Sequence, residues 1–93
     1  MLKDGPNEEG VFAYQGVPYI FPPTLWGLLN YLWRKRSRRA FLEDAIEDLW
    51  GGDVSRGAVE SAVCRINKIF KAEGIPLGAH TNSPYVFLRA EQA

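Results

Sequence analysis

The sequence predicts an α+β domain: a short hairpin, three helices with a helix-turn-helix at their centre, then a second hairpin. Three observations carry that prediction. Short runs rich in aromatic and β-branched residues flank turn residues near both ends of the chain, and apolar residues recur with a period of about 3.6 between them. Glycine and proline clusters fall where the period changes. With 46% apolar and 13% aromatic residues, the 93 positions can fill one core, and little chain is left for a second.

Residues 1–10 are polar and carry Gly5, Pro6 and Gly10, so they read as a flexible lead-in. The domain itself is expected over 11–89, with a C-terminal tail over 90–93. Val11-Phe12-Ala13-Tyr14 and Val17-Pro18-Tyr19-Ile20-Phe21 flank Gln15-Gly16, the pattern of a hairpin whose Pro18 strand lies at an edge. Pro22-Pro23 stop that strand, and Thr24 is placed to cap a first helix. Leu25, Leu28, Leu29 and Leu32 form one face of it, with Trp26 and Trp33 on a flank, to about Arg34. Gly27 costs about 1 kcal/mol relative to Ala inside a helix, which points to a close neighbour there.

Five basic residues then occupy the six positions 34–39. In the second helix Phe41, Leu42, Ala45, Ile46, Leu49 and Trp50 make one stripe, and Glu43, Asp44, Glu47 and Asp48 the opposite face; Gly51-Gly52 end it. Asp53 or Ser55 caps a third helix that runs to about Glu73. At about 100° per residue, Val59, Ala62, Val63, Ile66 and Phe70 fall together. Gly57, Ser61, Cys64, Arg65 and Lys68 fall opposite. A second hairpin follows, with Ile75-Pro76-Leu77-Gly78 and Tyr85-Val86-Phe87-Leu88 on either side of a tip at His80-Thr81-Asn82-Ser83.

Composition removes several function classes. Eleven Lys plus Arg balance eleven Asp plus Glu, so a diffuse polycation is excluded and nucleic-acid binding requires a local patch. Cys64 is the lone cysteine and His80 the lone histidine, too few for a disulfide framework, a zinc centre or a nucleophile–base pair. No enzymatic activity, cofactor or metal is expected. The N-terminus lacks the apolar run of a signal peptide, and the most apolar stretch, 25–33, is far shorter than the roughly 20 residues a bilayer needs. A cytoplasmic protein without membrane contact is the expectation.

Element order, Phe21-Pro22-Pro23 before helix one, Leu49-Trp50-Gly51 closing helix two and Tyr85 on the last strand resemble the winged-helix output domain of OmpR/PhoB-type response regulators. The resemblance spans about residues 11–88. It implies a transcriptional regulator that places the third helix, 55–72, in the major groove of double-stranded DNA and uses the 78–87 hairpin as a wing. Arg65 falls where the family places a basic residue entering that groove, and Ser61, one turn earlier, where a base-contacting side chain sits. Arg56, Lys68 and Lys71 would meet phosphates, the basic run through Arg36, Arg38 and Arg39 would add backbone affinity, and His80, Thr81 and Asn82 would touch DNA from the wing. Asn67 stands where the family has a basic residue, and Thr81-Asn82-Ser83-Pro84-Tyr85 lacks the family's wing arginine. These departures, with zero net charge, keep open a winged helix that binds a protein partner or pairs as a homodimer.

Overall fold

A computed structural model of the chain describes residues 3–91. It is an α+β fold of three helices and two small antiparallel sheets. Strand β1 (Gly5–Pro6) pairs with β2 (Val11–Tyr14), which pairs with β3 (Val17–Ile20). The expected lead-in is therefore partly built into the first sheet. Gly5 enables this, because its φ of 110° suits glycine and a Cβ there would run into the Trp33 indole. Residues 1–2 and 92–93, which open the lead-in and end the tail, lie outside the described residues.

Helix α1 (Pro23–Trp33) starts one residue before Thr24, with Pro23 in its first turn, where the missing N–H costs nothing. Thr24 is thus not the cap; Pro22 holds that position without a side-chain bond. Leu25, Leu28, Leu29 and Leu32 are all buried. Gly27 has no neighbour within 4 Å of a would-be Cβ, so close packing does not explain it; it lines a shallow groove with Leu49 and Trp50.

The basic run conceals a strand, β4 (Arg39–Phe41), before α2 (Leu42–Trp50). Phe41 thereby leaves the helical stripe and stands 50% exposed. Trp26, Trp33 and Trp50 are only partly buried and pack against the rim of the core. Helix α2 ends at Gly51 in the left-handed conformation, as Gly51-Gly52 implies. Helix α3 (Arg56–Ala72) begins at Ser55, whose side chain accepts from the Ala58 N–H at 3.3 Å. Its stripe of Val59, Ala62, Val63, Ile66 and Phe70 is wholly buried.

Strands β5 (Leu77–Asn82) and β6 (Tyr85–Ala90) form the last hairpin, and β4 pairs with the far side of β6 to give the order β4-β6-β5. The inward row of this sheet, Ala40, Ala79, Val86 and Leu88, closes onto the helices. On the other side of the core Phe12, Phe21, Trp33 and Phe70 meet edge-on or tilted, with ring centroids 5.5–5.8 Å apart. The hairpin aromatics Phe12 and Phe21 are core. Helices α1 and α2 are further tied by Tyr31, whose hydroxyl donates to Asp48 at 2.7 Å. Desolvation, then that bond and the nearby carboxylates, push the phenol up to about 12.

Candidate nucleic-acid interface

Helix α3 presents two polar surfaces. Ser61, Cys64, Arg65 and Lys68 are exposed on the side opposite the core stripe. No ion pair involves Arg65 or Lys68 among the described residues. Two unpartnered cations beside a hydroxyl on one helical face can meet an anionic, hydrogen-bonding surface without first breaking internal contacts. Glu60 is exposed on the flank of this face.

The second surface is the flank turned toward the hairpin, and here the structure corrects the sequence reading. Arg56 donates to Ser83 Oγ at 3.1 Å and pairs with Glu43 at 3.2 Å. The pair is exposed, 50% on the arginine and 76% on the glutamate, so its energy is about 0–1 kcal/mol. Its geometric effect is larger: one guanidinium links the start of α2, the start of α3 and the β5–β6 turn. Asn67 does not face outward. Its amide donates to the Ala79 carbonyl at 2.8 Å and accepts from the Ala79 N–H at 2.7 Å, satisfying both backbone groups on the free edge of β5. Lys71 lies on the same flank, lining with Phe70, Ile75 and Leu77 a groove of about 560 Å³ between α3 and β5. It does not share the face of Arg65.

The hairpin residues also separate. His80 is not at the tip but in mid-strand, opposite Phe87, and it contacts Glu91. The hydrogen bonds from His80 and then Arg89 hold the Glu91 carboxyl below its usual range. Thr81 sits half-buried opposite Val86, facing the core. Only Asn82, with Ser83, stands at the exposed turn.

The basic run divides as well. Arg34 and Arg36 point to solvent. Lys35 lies 4.6 Å over the Tyr31 ring. Arg38, at φ 57°, folds back on the turn: its guanidinium donates to the carbonyls of Trp33 at 2.6 Å and Lys35 at 3.0 Å, and lies 4.4 Å over the Trp33 ring. Arg38 therefore closes the α1–β4 turn through one guanidinium nitrogen. Arg39 projects onto the outer face of the second sheet, 4.5 Å over the Tyr85 ring.

The outer sheet face, with Phe41, Tyr85, Phe87 and Arg89, escaped the sequence reading. The alternation of Tyr85, Phe87 and Arg89 with Val86 and Leu88 was its one visible signal. Among the described residues, no helix is long and apolar enough to cross a membrane, and no three His, Cys, Asp or Glu side chains gather as a metal site. Searches of protein-family models, curated proteins and solved structures return no match to this chain.

Proposed function

We propose that the chain is a winged helix-turn-helix domain that binds double-stranded DNA sequence-specifically, as a small transcriptional regulator. Helix α3 enters the major groove and the β5–β6 hairpin is the wing. The observation that carries the reading is the solvent face of α3, where Ser61, Arg65 and Lys68 stand exposed and free of ion pairs among the described residues. The strand between α1 and α2, and the β4-β6-β5 order, support the same layout.

The chemistry follows from the side chains. The planar fork of Arg65 matches guanine O6 and N7 with two parallel hydrogen bonds, which a lysine cannot reproduce. Ser61, one turn earlier, meets a base edge or phosphate, and Lys68 a phosphate that fixes register. Arg56 steadies the wing turn against α3 rather than contacting DNA. Arg34 and Arg36 add non-specific attraction.

Arg65→Ala is expected to weaken binding to a preferred duplex by about 1–3 kcal/mol more than to a scrambled one, with the fold unchanged. Titration of both duplexes with both proteins measures this. Equal losses would make Arg65 a backbone contact; no loss on either would remove α3 from the interface. A second reading, a winged helix that binds protein instead, is favoured by Val17 and Ile20, exposed at 47% and 74% on the edge strand β3.

A further inference from the structure

We propose that the outer face of the β4–β6–β5 sheet is a second nucleic-acid surface, which takes a single strand with its bases stacked on aromatic rings. Strand register builds this face. Phe41 lies opposite Tyr85, and Tyr85 opposite Asn82. One row on, Arg39 lies opposite Phe87, and Phe87 opposite His80; Arg89 begins a third row beside Gly78. The intervening Ala40, Ala79, Val86 and Leu88 are buried, so these rows point away from the core.

The rings are already ordered. Phe41 and Tyr85 stack at 5.0 Å with 27° between planes, and Arg39 lies 4.5 Å over Tyr85. His80 and Phe87 lie 5.6 Å apart at 30°. Phe41 remains half in water although it is large and apolar. A nucleobase offers such rings a flat partner whatever its identity, so stacking is tolerant of sequence.

Charge and spacing select the occupant. Arg39 borders the rings, and Arg34 and Arg36 are exposed in the turn that leads into β4; Arg89, on the third row, is paired with Glu91 at 3.2 Å. The carboxylate of Glu91 is held by His80 and Arg89, while on α2 Glu43 is engaged with Arg56 and Asp48 with Tyr31. Phosphates fit this border. A second copy of the chain, paired two-fold through this face, is the occupant the sedimentation measurement below distinguishes. Rows two residues apart are separated by about 6.8 Å, twice the ~3.4 Å between stacked bases of a duplex strand. Bases on successive rows are therefore splayed, an arrangement open to a single strand and closed to a duplex. This surface is distinct from the solvent face of α3 and does not depend on the reading of that helix.

Fluorescence anisotropy of a labelled oligothymidylate of about eight nucleotides, a length suited to a small single-strand site, tests the proposal with the full chain. Saturable binding is expected, weakened at least about tenfold by Phe41→Ala and also by Phe41→Leu, which keeps apolar bulk but has no ring to stack. Arg65→Ala should weaken it much less than Phe41→Ala does. Phe41 packs only at the surface, so both variants should fold, and Phe41→Leu decides the matter if Phe41→Ala does not. Absence of saturable binding would overturn the proposal. So would equal weakening by Arg65→Ala, or a parent dimer in sedimentation that Phe41→Ala dissociates.

Discussion

Phe70→Ala is expected to destabilise the fold by about 3–5 kcal/mol, the usual cost of emptying a buried phenylalanine site. Phe70 is 1% exposed, and its ring lies 5.8 Å from both Phe12 and Phe21. It is where α3, β2 and the β3–α1 connection meet, so neighbours drawn from three separate segments must all shift to fill the void. A domain of this size has roughly 5–14 kcal/mol of stability in total, at ~0.05–0.15 kcal/mol per residue. The loss is therefore a large share of the whole. At about 4–8 °C per kcal/mol, the melting temperature should fall by at least ~12 °C. Arg65→Ala, on the exposed face of the same helix, should stay within about 0.5 kcal/mol of the parent. Thermal melts followed by circular dichroism compare the two. A Phe70→Ala protein melting within a degree or two of the parent would show that this aromatic cluster does not hold the domain together.

Asn67→Ala separates two roles by sign. On an open helical face alanine would be neutral or stabilising, since it forms helix better than asparagine. Here it strips the Ala79 N–H and carbonyl of their partners at 2.7 and 2.8 Å. A buried polar group left unpaired costs about 1–3 kcal/mol, so a loss in that range is expected. Amide exchange at Ala79 should accelerate more than exchange at amides within α1. Asn67→Asp should recover little, because a carboxylate accepts from the N–H but faces the carbonyl without a proton to offer. A neutral or stabilised Asn67→Ala protein would contradict the bracing of β5 by α3.

How much of this was legible depends on the length of each pattern. The stripe from Val59 to Phe70 spans three turns, and periodicity alone identified every buried member. The two hairpins carried aromatic and β-branched runs with turn residues between them, and both are present. The short strands were hidden. β4 is three residues long and begins inside a run of cations, and its partner, β6, lies more than forty positions later in the chain. No local rule reports such a pairing. Because β4 was invisible, Phe41 read as the first rung of the α2 stripe, four residues before Ala45, when it belongs to the outer sheet face.

The candidate interface was legible in part for a similar reason. Helical phase placed Ser61, Arg65 and Lys68 on one exposed side, because phase is local. Arg38 and Arg56 looked equally available, yet one is folded onto the carbonyls of its own turn and the other reaches Glu43 and Ser83. Those partners follow from tertiary geometry. His80 read as a tip residue because the turn was placed too early; the β5–β6 register sets it opposite Phe87, inside the strand.

Selection of duplexes from a random DNA pool by the intact chain tests recognition by α3 most directly. A short motif containing a fixed guanine should emerge, and the preference at that position should disappear when the selection is repeated with Arg65→Ala. A recovered pool no different from the input would contradict sequence-specific DNA binding by this domain.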